Sequence, residues 1–254
     1  MHRFFVAPEL LHGSKIITLP EPVAHQIRDV LRLGIGEQLA LLDNSGDELL
    51  CAITKSQRSG VAVQALERRP GRREPSVRVT LYQGLLKSAR FEWILEKGTE
   101  LGVTTFAPLL CRRSMAGLED AGVAKQRRWQ RIIQEAAEQC GRARLPALLP
   151  AQPLAHALND LKPGALALMP WEEERECSLR DALRSAVTHG TNAQPAPLTV
   201  ALFIGSEGGL TADEVMLARG HNVQIVTLGA RILRAETAAL ATIANVMYEL
   251  ADVV

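Results

Sequence analysis

The sequence predicts an α/β protein in two parts, a β-rich N-terminal stretch followed by a parallel sheet with helices on both faces. Three observations carry this. From residue 77 onward, short apolar runs alternate with segments whose apolar residues recur at helical spacing, the pattern of strand-helix-strand crossovers. Residues 1–66 instead hold strand-like runs punctuated by turn residues. Between them ERRPGRREPSV, with two prolines, one glycine and four arginines, has the composition of a domain linker.

In the N-terminal stretch, EQLALLDNSGDELLCAI reads as a hairpin, because two apolar-rich runs flank the turn residues Asn44-Ser45-Gly46-Asp47. EPVAHQIRDVLR (21–32) reads as a short helix and VAVQAL (61–66) as a further strand. In the second part VRVTLYQGL is a strand, and SARFEWILEKGTELG is a helix with Ser88 as its N-cap and Gly102 as its C′ stop. VTTFAPLL is a strand. KQRRWQRIIQEAAEQCG is an amphipathic helix with Trp129, Ile132, Ile133, Ala136 and Ala137 on one stripe. ALALMP (165–170) and SLRDALRSAV form the next strand and helix. LTVALFIG, TADEVMLARG, VQIVTLG and ETAALATIANVMYEL then run strand, helix, strand, helix.

Composition narrows the function classes. The 254 residues suffice for one large or two small domains, and an apolar share of 47% marks a globular chain. No apolar run reaches 18 residues, so the expectation is a protein without a membrane span. The start, MHRFFVAPELLHG, lacks the apolar stretch and cleavage site of a secretory signal. Cys51, Cys111, Cys140 and Cys177 show no C-x-x-C spacing, which fits reduced thiols in the cytoplasm and no zinc site. The six histidines show no ligand spacing, so no metal is expected. Charge is uneven: residues 65–147 carry 16 Lys and Arg against 9 Asp and Glu, although the whole chain is only +1. A local basic excess of this kind suits a polyanion such as nucleic acid.

The candidate site lies in FIGSEGGLTADEV (203–215). LTVALFIG is the uninterrupted apolar run of a central parallel strand, and ligands in open parallel sheets sit beyond the carboxyl ends of the strands. Gly208 and Gly209 permit close backbone approach, and Thr211 with Glu214 forms a capping box that starts a helix near Ala212. Neither phosphate-binding glycine motif is present, and Glu207 would repel an anion. A neutral or cationic ligand, or one presenting hydroxyls, fits better. One βα unit later VQIVTL ends at Leu228 and Gly229, followed by ARILRAE, which adds Arg231, Arg234 and Glu236. Backbone groups of two such loops can read an adenine edge, and a carboxylate can bind ribose hydroxyls or lie near a positive centre. S-adenosylmethionine has these features and no phosphate. Glycines serving only tight βα turns are the plainer alternative; two successive loops with flanking charges favour a site.

FIGSEGGLTADEV followed by LGARILRAETAAL resembles the SPOUT class of S-adenosylmethionine-dependent RNA methyltransferases, and most closely the RsmE family, which methylates N3 of a uridine in 16S small-subunit ribosomal RNA. MHRFF, HQIRDVLRLGIGEQLALLDNSG, LLKSARFEWILEKGTELGV and RWQRIIQEAAEQCGRARLP extend the resemblance over almost the whole chain. The chain departs from the family pattern at Ser206, commonly proline, at Ala235, commonly threonine, and at Asn44, commonly glycine. The resemblance implies a PUA-like RNA-binding β-barrel over 1–72 and a SPOUT methyltransferase domain over 73–254 whose C-terminal segment threads a trefoil knot. It also implies a homodimer, with 16S ribosomal RNA, free or within the assembled small subunit, as substrate.

Cofactor-binding candidates are Met169, Pro170, Ile204, Gly205, Glu207, Gly208, Gly209, Leu228, Gly229, Ile232, Leu233 and Arg234. Arg231 or Arg234 would stabilise a developing uridine anion, and Glu207 or Glu236 would act as general base or orient the cofactor. Glu236 is equally accounted for by the helix dipole at the start of the last helix. Arg3, Arg28, Arg32, Arg112 and Arg113 are the RNA-contact candidates, with Arg68, Arg69, Arg72 and Arg73 of the linker as weaker ones. Three other readings stay open: a methyltransferase of this class acting on another RNA such as transfer RNA, a noncatalytic RNA-binding ribosome-assembly protein, and a phosphate-binding α/β enzyme disfavoured by the missing lysine.

Overall fold

A computed structural model describes residues 1–13, 15–71, 74–114, 122–190 and 197–251. The chain divides into two compact units, Met1–Glu74 with Gln134–Leu145, and Pro75–Ile133 with Pro146–Val254.

The first unit is built on a five-stranded sheet of β1 (His2–Phe5), β2 (Ile16–Thr18), β3 (Gln38–Leu42), β4 (Asp47–Gln57) and β5 (Gly60–Pro70), in the order β1-β3-β4-β5-β2. The hairpin read from the sequence is present as antiparallel β3 and β4. Its turn places Asn44 at φ 66° and Gly46 at φ 100°. Both values lie in the left-handed region, where glycine is free and asparagine is the best tolerated alternative. The Asp43 carboxylate accepts the Ser45 N–H at 3.0 Å and closes the turn. Phe4, Ile27, Leu39, Leu41 and Ile53 fill the core beneath the sheet. Ile27 comes from the predicted short helix, which is α1 (Glu21–His25) continued by a wider π-turn over Gln26–Val30.

The linker expectation needs correction. β5 continues through Pro70, pairing Leu50 with Glu67, Glu48 with Arg69 and Asp47 with Pro70. Cross-strand charge explains why a sequence rich in arginine and proline still forms strand. Arg69 meets Glu48 at 3.1 Å, and Arg68 meets Asp47 at 3.0 Å. Arg72 and Arg73 lie outside the described residues. Residues 134–145 group with this unit through long-range contacts. Phe5 donates its N–H to Glu138 at 3.0 Å, and the Asn44 side chain accepts the Leu145 N–H at 2.7 Å.

The second unit is a seven-stranded sheet of β6 (Arg78–Gly84), β7 (Thr105–Leu110), β8 (Ala147–Leu148), β9 (Gln152–Pro153), β10 (Leu166–Pro170), β11 (Thr199–Ile204) and β12 (Gln224–Val226). The order is β12-β10-β11-β6-β7-β8, with β9 also on β7, and all of these pairings are parallel. Its helices are α2 (Ser88–Glu100), α3 (Val123–Cys140, which runs on into the first unit's residues), α4 (Leu154–Asn159), α5 (Leu179–Gly190), α6 (Ala212–Gly220) and α7 (Ala235–Leu250). On β11, Val200, Leu202 and Ile204 pack with α2, α5 and α7, while Ala201 and Phe203 pack with α4 and α6. That alternation on a strand buried on both faces explains its uninterrupted apolar run. Among the described residues no helix is long and apolar enough to cross a membrane.

Helix ends carry the punctuation that fixes the loops. Gly102 follows the end of α2 at φ 98°, the predicted C′ stop. Ser88 is not the N-cap; Lys87 is, and it makes no side-chain cap bond. Its N–H donates instead to the Glu207 carboxylate at 3.1 Å, so a side chain 120 residues away does the capping. The predicted capping box is present on α6: Glu214 donates its N–H to Thr211 Oγ1 at 3.3 Å, and the Thr211 N–H returns to Glu214 Oε2 at 2.8 Å.

Candidate functional site

The strand order sets the site. β10 lies between β11 and β12, so the loops leaving their carboxyl ends are neighbours although they are far apart in sequence. A cavity of about 230 Å³ opens there. Ile204 to Leu210 form one wall, Thr227 to Ala235 with Ala238 the second, and Pro170, Trp171, Glu172 and Arg175 the third.

The first loop is glycine-rich because it is crowded. A Cβ on Gly208 would lie 2.8 Å from Arg113 Cβ, and one on Gly209, at φ 72°, would lie 2.9 Å from Glu172 Oε1. The Gly209 N–H donates to the Ser206 carbonyl at 3.0 Å and closes the turn. Gln83 Nε2 donates to the Gly205 carbonyl at 3.2 Å, and the Arg113 guanidinium donates to the Gly208 carbonyl at 3.2 Å. The second loop turns at Gly229, φ 113°, whose N–H donates to Thr227 Oγ1 at 3.2 Å. The third loop is tied to the second: Trp171 donates its N–H to the Val226 carbonyl at 3.0 Å and Thr227 to the Cys177 carbonyl at 2.8 Å. Glu174 holds that third loop shut. Its carboxylate accepts the N–H groups of Glu176, Cys177 and Arg175 and pairs with Arg219 at 3.0 Å; these bonds keep its carboxyl below the usual carboxylate range.

Trp171 Nε1, Ser206 Oγ and Glu207 Oε2 are buried without a hydrogen-bond partner, and all three belong to lining residues. Buried polar atoms are satisfied in native proteins as a rule, so a ligand that offers both acceptors and donors would suit this lining. Glu207 Oε1 lies 3.6 Å from Arg90 Nη1, and Glu236 Oε1 lies 3.6 Å from Arg90 Nε.

Of the residues read from the sequence, Pro170, Ile204, Gly205, Glu207, Gly208, Gly209, Leu228, Gly229, Arg231, Ile232, Leu233 and Arg234 line the cavity. Met169 does not: it is fully buried in the core on the face of α4 and α6. Its side chain points into that layer because alternate residues of a strand face opposite ways. Glu236 stands in the first turn of α7, outside the lining set. Trp171, Glu172 and Arg175 were missed, although their place just after the strand ALALMP could have signalled them. Gln83, Lys87 and Arg90 were missed with no local signal at all.

The candidate RNA contacts are differently engaged. Arg3 pairs with the buried Glu48 at 3.3 Å, and Arg28 pairs with Asp29 at 2.6 Å and Glu21 at 3.2 Å. Arg32 is exposed at φ 55°, with no ion pair among the described residues. Arg112 binds Asp213 of α6 at 2.6 Å, and Arg113 buttresses the glycine turn from behind without lining the cavity.

Comparison with known proteins agrees with this geometry. The family described as RNA methyltransferase domain matches residues 72–247. Ribosomal RNA small subunit methyltransferase E of Bacillus subtilis is 29% identical over 98% of this chain and 97% of its own. The protein of the same name from Synechocystis is 35% identical over 96% of this chain and 77% of its own. The crystal structure of a ribosomal RNA small subunit methyltransferase E from Neisseria gonorrhoeae bound to S-adenosyl methionine superposes with a TM-score of 0.86 at 30% identity, covering 100% of both chains. An α/β unit with three strand-end loops around one cavity, matched from end to end by relatives of one kind, shows that the chain belongs to the ribosomal RNA small subunit methyltransferase E family of RNA methyltransferases.

Proposed function

We propose that this protein transfers a methyl group from S-adenosylmethionine to N3 of a uridine in 16S ribosomal RNA. The observation that carries the reading is the cavity itself: three strand-end loops, partnerless buried polar atoms of both donor and acceptor type, and a carboxylate where a phosphate site would need a cation. A nucleoside ligand with a positive centre and no phosphate fits those groups, and the Neisseria relative is bound to S-adenosyl methionine.

The backbone of 228–234 supplies N–H and C=O groups for an adenine edge, Trp171 Nε1 supplies a donor, and Glu207 with Glu172 supplies acceptors for hydroxyls or a cationic centre. S-adenosylmethionine bound there supplies an electrophilic methyl group. The chain's contribution is alignment, since transfer needs the attacking nitrogen in line with the methyl-sulfur bond; that bond breaks as the bond to N3 forms, and the N3 proton leaves to a carboxylate acting as general base. Uridine N3 normally faces its pairing partner, so the base must be unpaired or flipped before it reacts. Arg231 and Arg234 are exposed at the cavity mouth, where a guanidinium stabilises the charge that develops on the uracil ring. Glu207 lines the cavity and Glu236 does not, and this supports Glu207 over Glu236 as the acidic group that meets ligand.

The finer architecture follows the family. Residues 1–72 would form a PUA-like RNA-binding barrel and 73–254 the SPOUT methyltransferase domain with its knot. The active form would be a homodimer in the cytoplasm acting on 16S ribosomal RNA, free or in the small subunit. The five-stranded sheet of the first unit and the parallel sheet of the second support this assignment. Nucleoside mass mapping of ribosomal RNA from cells with and without the protein tests the reading. One N3-methyluridine should vanish from 16S RNA on deletion. An unchanged map would sink it, and a change confined to transfer RNA would move the substrate.

A further inference from the structure

We infer that Arg90 is a positioning residue that clamps the two cofactor turns to each other through Glu207 and Glu236. The inference rests on the proposed function, since it assigns a role within the same cavity.

Arg90 stands in the first turn of α2 and does not line the cavity. Its guanidinium presents Nη1 to Glu207 at 3.6 Å and Nε to Glu236 at 3.6 Å. Glu207 belongs to the turn that follows β11, and Glu236 follows directly on the turn after β12. One cation therefore links the first wall, at Glu207, to the start of α7, which adjoins the second. The carboxylates are the more buried partners, with side chains 20% and 12% exposed against 42% for Arg90. No other ion pair to either carboxylate occurs among the described residues. Without Arg90, two like charges would converge in a sparsely hydrated place, each keeping a second oxygen that is already buried and partnerless. Removing one member of such a set costs more than the pair contributes, because the partners stay buried and uncompensated. The relief is movement: either carboxylate swings toward solvent and carries its turn with it.

The geometry also says why arginine is required. Two nitrogens of one planar guanidinium address two carboxylates in different directions, whereas a lysine ammonium is a single point charge. Lysine can neutralise the cluster without holding both turns in register.

The test measures S-adenosylmethionine binding by calorimetry, together with separate KM values for cofactor and RNA and the thermal midpoint, in Arg90→Ala, Arg90→Lys and Glu236→Gln. Arg90→Ala should weaken cofactor binding by about tenfold or more and leave the RNA KM within about twofold, tenfold being the loss of about 1.4 kcal/mol. Arg90→Lys should restore the thermal midpoint and not the cofactor affinity, a split that a merely structural role would not give. In the Glu236→Gln background, Arg90→Ala should cost less than it does alone. If Arg90→Ala does not fold, Arg90→Lys and Glu236→Gln carry the same test. Variants that bind cofactor as the unaltered protein does would overturn the clamp and leave the proposed function standing. An unaltered protein that binds no S-adenosylmethionine would overturn both.

Discussion

The backbone N–H of Lys87 donates to the carboxylate of Glu207 at 3.1 Å, joining the start of α2 to the glycine turn 120 residues later. One carboxylate thus caps a helix, faces Arg90 and lines the cavity. Its negative charge also sits at a helix N-terminus, where the dipole favours it.

Removing that carboxylate should therefore be felt in stability as well as in binding. Glu207→Ala should destabilise the protein by about 1 kcal/mol, the usual cost of a lost N-terminal cap. Glu207→Gln keeps an acceptor for the Lys87 N–H and should lose less stability while still weakening cofactor binding. Denaturant unfolding of the two variants checks this. Equal stability of Glu207→Ala and the unaltered protein would refute the capping role.

The glycines should rank by their surroundings. Gly208 leaves no room for a Cβ beside Arg113, whereas Gly229 meets nothing within 4 Å and is constrained only by φ 113°. Gly229→Ala should cost about 1 kcal/mol or somewhat more from backbone strain alone. Gly208→Ala must displace the backbone of Arg113 and should impair cofactor binding more. Paired melting and calorimetry of the two variants decides the order.

Arg231 and Arg234 are exposed and hold no ion pair among the described residues, so neither should matter to folding. Alanine at either position should shift stability by no more than about 0.5 kcal/mol. Loss of a group that stabilises transition-state charge should slow single-turnover methyl transfer by roughly 10²–10³-fold. Full rate in both variants would remove arginine from the charge role.

Burial pushes the Cys51 thiol up to about 11 and the Cys111 thiol up to about 12. A thiol with so little thiolate near neutral pH is a poor nucleophile. Alkylating reagents at pH 8 should leave both unmodified in the folded protein and label them after denaturation, as peptide mass mapping will show. Rapid labelling of Cys111 in the native state would mean that the strand end behind the glycine turn is open.

RNA docking should be salt-dependent, because basic contacts release counterions. Arg32→Ala should lower the slope of log affinity against log salt by about 1 without unfolding the protein. Arg3→Ala should act instead through stability, because it strips one of two arginines from the buried Glu48. A slope that ignores Arg32 would exclude it from the docking surface.

What the sequence disclosed and what it hid follow one rule. Features encoded within one element were readable: the period of α3, the apolar run of β11, the capping box of Thr211 and Glu214, and the stop at Gly102. Features that need strand order were not. Nothing local says that β10 lies between β11 and β12, or that Lys87 and Arg90 meet Glu207 and Glu236. Ser88 looked like a cap because its hydroxyl has the right chemistry, and the true acceptor arrives from another loop. Met169 looked like a wall residue because it ends a strand, and the pleat turns it into the core. The arginine-rich ERRP looked like linker because its partners, Asp47 and Glu48, lie on the neighbouring strand.

The most direct trial of the account is a crystal structure of the protein soaked in S-adenosylmethionine. The adenosyl group should lie between residues 205–209 and 228–234, with Trp171 Nε1 or Ser206 Oγ newly hydrogen-bonded. Density for the ligand anywhere else, or contact with only one of the two turns, would contradict it.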